Sequence, residues 1–240
     1  MRKLYFNTIL FSAALSLAAL SSCRFRCIKG SGHQVTENRK GGDFKKLEVE
    51  GNFKVVLKQD SSLTLNVNAD DNLMDYIKSS VNGERLKIYS RRNLCGSGEI
   101  VLTIGVKNLE EIRCSGGITL NTDGKLNTKD LHFDLSGGSK LDMDLDAANV
   151  ITEGSGSTDI TLRGQATSNK IDFSGSGKVR ALDFVVGSYD IETTGASDCE
   201  INVLKDLTIN TTGAADIKYR GNPTNVNSSK TGAATITKIN

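Results

Sequence analysis

Between Cys114 and Ile236 one short pattern returns seven times, and no other feature of the 240-residue chain constrains its fold as tightly. Ser115-Gly116-Gly117, Ser136-Gly137-Gly138, Ser155-Gly156-Ser157, Ser174-Gly175-Ser176, Thr194-Gly195-Ala196, Thr212-Gly213-Ala214 and Thr231-Gly232-Ala233 each place a hydroxyl residue before a glycine and a small residue after it. Four places past each of these glycines stands an apolar or thiol side chain: Leu120, Leu141, Ile160, Val179, Cys199, Ile217 and Ile236. The glycines recur with a near-constant period of about 20 residues. A unit of that length that carries both a turn signal and alternating apolar positions cannot bury its apolar face alone, so it must stack on its neighbours.

Aligned on the glycine, the positions four and six before it are mostly apolar, as in Leu131 and Phe133, Tyr189 and Ile191, or Leu207 and Ile209. Position six after it often is too, as in Met143, Leu162 and Ile201. Two period-2 segments flanking a glycine corner describe one coil of a single-stranded parallel β-helix whose alternating side chains share a core. The expectation is an all-β solenoid with coils of about 19 residues, structural turn glycines at Gly116, Gly137, Gly156, Gly175, Gly195, Gly213 and Gly232, and a ladder of stacked hydroxyls beside them. Seven to nine coils at about 4.8 Å each give a rod roughly 35 to 45 Å long. An antiparallel sandwich would need hairpin turns between successive strands, and Asn82-Gly83 is the one such signal.

Residues 1–22 read as a bacterial lipoprotein signal peptide. Arg2 and Lys3 precede an apolar run from about Leu4 to Leu20 with no acidic residue, and the run ends in Leu20-Ser21-Ser22-Cys23. Two small residues before a cysteine let a signal peptidase approach, and Cys23 is the thiol that would take the lipid. The following Arg24-Phe25-Arg26-Cys27-Ile28-Lys29 has no acidic cluster of the kind that marks surface export, so an outer-membrane anchor facing the periplasm is favoured over the cell surface. Residues 23–42, with Gly30-Ser31-Gly32, Glu37-Asn38-Arg39-Lys40 and Gly41-Gly42, have the composition of a flexible tether. Removing the signal takes away two positive charges and no negative ones, so the net charge of +2 falls to about zero. That balance, the absence of Trp and the lack of a basic patch with aromatics argue against a nucleic-acid partner.

From Phe44 the chain alternates through Leu47 and Val49, Val55 and Leu57, then Leu63, Leu65 and Val67, as half-buried strands do. Asp70-Asp71-Asn72 offers a cap to one short helix carrying Leu73, Tyr76 and Ile77, and Leu86 with Ile88 resumes a strand after Asn82-Gly83. Ser97-Gly98 resembles an eighth copy of the repeat, about one period before Gly116 and with Leu102 four places on. Phe44-Lys45-Lys46-Leu47-Glu48-Val49-Glu50-Gly51, Val55-Val56-Leu57-Lys58-Gln59, Asp71-Asn72-Leu73 and the Ser-Gly and Thr-Gly repeats together resemble the auto-transporter adhesin, head GIN domain family of lipoproteins from Bacteroides-like bacteria. The likeness runs over roughly residues 43 to 238. It implies a parallel β-helix in the cell envelope and transfers no catalytic residue, and its adhesin label follows the fold rather than a site. The domain is therefore drawn at residues 43–240.

Of five cysteines, Cys199 takes an apolar core position and reads as an inert buried thiol. Cys95 and Cys114 lie in neighbouring expected coils, but three and two places before their glycines, so their side chains are bridged or face opposite ways according to register. No Cys-x-x-Cys occurs and His33 and His132 stand apart, so neither a transition-metal site nor a cofactor is expected.

Two functions remain. A carbohydrate-active enzyme, a lyase or hydrolase on a β-helix, would use clustered carboxylates, for which Asp142, Asp144 and Asp146 are the candidates. Three and five places after the glycine, however, the coils read Lys140, Asp159, Lys178, Asp198, Asp216 and Asp142, Thr161, Arg180, Glu200, Lys218, largely opposite charges on adjacent coils. The even spacing of the corners from Gly116 to Gly232 also leaves no room for the long loops of a cleft. The favoured reading is a lipid-anchored, non-enzymatic adhesin or envelope-organising module that meets a glycan or an envelope or host protein. One ladder is not charge-alternated: Asp134, Glu153, Asp172 and Glu192, three places before successive glycines, form a stripe for a cation or a basic partner, with calcium considered at Asp134 and Asp172.

Overall fold

The computed structural model describes residues 27–240, so residues 1–22, expected to be a signal peptide, and Cys23 lie outside the described residues. The chain is all-β. In order it runs through β1 (Ile28–Lys29), β2 (Gln34–Lys40), β3 (Lys46–Gln59), β4 (Thr64–Asp70), a 3-10 helix (Asp71–Tyr76), β5 (Ile77–Asn82), β6 (Arg85–Ser90), β7 (Leu94–Cys95), β8 (Val101–Val106), β9 (Glu111–Asp123), β10 (Leu126–Asn127), β11 (Asp130–Arg220) and β12 (Asn225–Lys238).

Parallel pairing between like residues dominates. β9 lies beside β3 on one side and the start of β11 on the other, so that Gly116 faces Gly51 and Gly137. β12 runs parallel to the end of β11 with Gly213 facing Gly232. The 91 residues of β11 fold back over themselves: a Cβ placed on Gly156, Gly175, Gly195 or Gly213 would in each case come within 3 Å of the carbonyl oxygen of the preceding corner glycine. Gly51 and the seven predicted turn glycines thus form one column, all with φ between +84° and +133°. At Gly175, φ is +119° and a Cβ would sit 2.6 Å from the Gly156 carbonyl oxygen, so conformation and space both demand glycine.

The side chain four places after the corner is buried in every repeat from Leu120 to Ile217 and half-buried at Ile236 in the last one. Period-2 alternation fills the rest of the core, with Phe133, Phe173, Phe184 and Tyr189 fully enclosed. The Phe173 ring occupies room left by Gly154 and Gly177, where any Cβ would press within 3 Å of it.

Several features differ from the sequence reading. Ser97-Gly98 is not a copy of the repeat: the layer before Gly116 is Gly51, far earlier in the chain. β6 and β8 pair with the far edge of β3, so β3 lies between them and β9, and spatial order departs from chain order. The short helix expected after Asp70 is a single 3-10 segment, and Asp70 makes no side-chain cap bond to it. Residues 27–42 are not slack, because β1 pairs with β7 and all seven residues of β2 pair antiparallel with β4. Finally, Cys95 is bonded to Cys27, whereas Cys114, in register with buried Val49, points into the core and stays free. The antiparallel strands β2, β4 and β5 gather at the β6 and β8 end of the parallel layers, and β12 forms the opposite end.

Candidate functional site

The outward columns carry the polar chemistry. Asp142 is 2.7 Å from Arg163, Lys178 3.4 Å from Asp198, Lys218 3.2 Å from Asp216, and Arg180 pairs with Asp159. Lys125 reaches Asp146 at 3.1 Å and Asp144 at 3.9 Å. All three carboxylates considered for catalysis are therefore held by cations of neighbouring layers, as solvated cross-strand pairs. Each such exposed pair contributes little stability by itself.

Nearer the N-terminal end the pairs merge into a network. Lys87 bridges Glu48 and Glu50 at 2.7 Å each, Arg85 joins Glu48 to Glu111, and Arg113 joins Glu111 to Asp134. The Lys87 ammonium holds the Glu48 carboxyl below the usual range despite its partial burial. Burial pushes Glu111 up, but Arg85, Arg113 and Lys46 outweigh it and its pKa is also lowered.

The acidic column faces outward, and its members divide into two pairs. Asp134 is engaged by Arg113 at 2.7 Å and Glu153 by His132 at 3.0 Å. Asp172 and Glu192 make no ion pair among the described residues, where no group of three or more His, Cys, Asp or Glu side chains is arranged to hold a metal.

A polar ladder that the sequence reading passed over runs seven places before the corner. Asn149 donates to Asp130 at 2.6 Å, Ser168 to Asn149 at 2.8 Å, Ser188 to Asp206 at 3.0 Å, and Asn225 to Asp206 at 2.8 Å. Asn225, then Ser188, hold the Asp206 carboxyl below its usual pKa. Its signal is plain once aligned: Asp130, Asn149, Ser168, Ser188, Asp206 and Asn225 are all short and polar. The hydroxyls beside the glycines, expected to form the ladder, give one such contact, Ser136 Oγ to the Cys114 carbonyl at 3.3 Å.

Asp70, Asp71 and Asn72, expected as a helix cap, instead fasten the stretch from Lys29 to Gly32. Asp70 is buried and accepts from Ser97 N at 2.7 Å, Ser97 Oγ at 2.6 Å and Gly32 N at 3.2 Å. Those bonds, led by the Ser97 hydroxyl, lower its pKa. Asp71 accepts from Ser31 Oγ at 2.5 Å, and Asn72 donates to the Lys29 carbonyl at 2.9 Å. Beside this clasp the Cys27–Cys95 disulfide borders a cavity of about 460 Å³ between Asn52-Phe53-Lys54 and the Leu94–Ile100 loop, which the Lys54–Glu99 pair flanks at 2.8 Å. The free thiols among the described residues are inert: burial pushes Cys114 and Cys199 up to about 12.

Fold and surface together define an all-β protein built on stacked like-with-like strands and faced by ion pairs. The chain belongs to the family described as putative auto-transporter adhesin, head GIN domain, whose model matches residues 43–223. Among solved structures, it is similar to a putative adhesin from Bacteroides fragilis, at 22% identity and TM-score 0.84, covering 88% of this chain and 100% of that one. It also resembles a putative adhesin from Parabacteroides merdae, at 19% identity and TM-score 0.67 over 89% and 99% of the two chains. A putative lipid binding protein from Parabacteroides distasonis matches at 20% identity and TM-score 0.64 over 90% and 100%. No curated protein matches. Neither the family nor these neighbours is described as an enzyme, and no helix among the described residues is long and apolar enough to cross a membrane.

Proposed function

We propose that this protein is a parallel β-solenoid, held to the outer membrane by lipid on Cys23 and serving as a non-enzymatic adhesin or envelope-organising module. The observation that carries the binding reading is the outer face itself. Asp142, Asp144, Asp146, Asp159 and Asp198 on it are tied to cations in successive layers, which makes a repetitive, rigid recognition surface and occupies the groups a glycosidase or lyase would need. The continuous glycine column supports the solenoid, because corners separated by one repeat approach within contact distance all along the stack. A glycan or an envelope or host protein fits this polar face. The description of one neighbour as lipid binding adds a lipid to the partners worth testing. The test is a binding screen of the full chain against glycans, matrix proteins and lipids, with glycan cleavage assayed in parallel. Saturable binding without cleavage supports the reading; turnover of any glycan overturns it.

The acidic column enters as the face for a cation or a basic partner, resting now on Asp172 and Glu192. Millimolar calcium should raise the melting midpoint of the wild type and not that of Asp172→Asn if a cation is taken there. No shift in either rejects the cation and leaves the protein partner.

A further inference from the structure

The order of the N-terminal clasp decides how an anchored molecule would sit. Cys27 is bonded to Cys95, Ile28 N donates to the Asn93 carbonyl and Gly30 N to the Cys95 carbonyl, both at 2.9 Å. The chain is thus fixed to the folded body from its first described residue. Only Arg24, Phe25 and Arg26 separate that point from Cys23, and four extended residue steps span at most about 14 Å. A body on so short a lead cannot stand free of the surface that holds it.

The surface at that point is basic. Lys29, in register with Cys95, and Arg91 and Arg92, just before Asn93, are exposed and form no ion pair among the described residues. In the sequence, no acidic residue occurs in the first 26 positions. The neighbouring acids are engaged, Asp70 by Ser97, Asp71 by Ser31 and His33, and Glu99 by Lys54, which leaves Asp75 as the free carboxylate on the 3-10 segment.

We propose that the face around the Cys27–Cys95 disulfide, with Lys29, Arg91 and Arg92, docks on the anionic phospholipid headgroups of the membrane that carries the anchor. A lipid chain joined to a polybasic patch is a two-signal attachment, in which the charges fix orientation as well as affinity. The antiparallel end of the molecule then lies at the membrane and β12 points away from it. The inference rests on lipidation of Cys23.

The sequence contains no Trp, so one introduced Trp reports its surroundings alone. Full-length lipoprotein from its host is reconstituted into vesicles of zwitterionic lipid with and without phosphatidylglycerol, both containing brominated phospholipid as quencher. Asn93→Trp should lose most of its emission on the anionic vesicles, and Val226→Trp on β12 should lose none. Adding Arg91→Glu and Arg92→Glu, or raising the salt, should restore the Asn93→Trp signal while the protein still floats with the vesicles. Equal quenching at both positions, or none at Asn93→Trp in protein that floats and carries lipid on its N-terminal peptide, overturns the docking alone. An N-terminal peptide without lipid overturns the anchor, and the docking with it. Matching melting curves for the variants verify that each is folded.

Discussion

Glycine at the corner answers two demands at once, a positive φ and a neighbouring carbonyl where a Cβ would stand. Gly175→Val should therefore cost about 1 to 3 kcal/mol in urea unfolding, whereas Lys178→Ala, on the exposed face, should change it little. An unmoved midpoint for the glycine variant would break the corner assignment. The seven copies were readable because each repeats its hydroxyl, glycine and apolar residue at near-constant spacing. Gly51 was not, because Glu50 replaces the hydroxyl and several repeat lengths of chain separate it from Gly116. Its flanking Leu47, four places before, and Val55 and Leu57, four and six after, do keep the apolar offsets, all three buried, so the strand was legible where its place in the stack was not. Cys95 and Asp70 show the same limit. Spacing could not pair Cys95 with a cysteine 68 residues away, and composition could not tell a helix cap from a clasp on the N-terminal strand.

Among the elements, the network joining β6, β3, β9 and β11 and the clasp on β1 make the N-terminal end sensitive to acid. Glu48, Glu111 and Asp70 all have folded pKa values below their unfolded ones. Their contribution is therefore complete above the unfolded values, about 4 for carboxyls, and is lost as pH falls through the lower folded values. Urea midpoints should fall as pH drops from 6 to 3, and Glu111→Gln should flatten that dependence; an equal slope in both proteins would contradict it. β12 has a different problem, an exposed parallel edge. Lys230 and Lys238 stand in register with buried Thr211 and half-buried Tyr219, so charges occupy core-facing positions of the last layer. Lys230→Ile with Lys238→Ile should therefore produce concentration-dependent association in sedimentation. A double variant that stays as monomeric as the parent would mean the lysines do not guard the edge.

At the scale of the molecule one relation dominates: parallel pairing joins β3 to β9, β9 to the start of β11, and the end of β11 to β12. The period in the sequence carries that relation for the C-terminal half, and the antiparallel end was legible in one hairpin, Asn82-Gly83, which joins β5 to β6. The rest of that end depends on long-range pairing that no local pattern records. Thr119 and Lys140 are partners in the parallel register of β9 and β11, while a hairpin turning between those strands would set Thr119 near Asp134. Oxidation of two double variants decides between them, Thr119→Cys with Lys140→Cys and Thr119→Cys with Asp134→Cys, read by mass after blocking of free thiols. Buried Cys114 and Cys199 should not compete. The parallel stack predicts a disulfide in the first variant and free thiols in the second, at unchanged melting midpoint; a bridge that forms in the second and not in the first would contradict it.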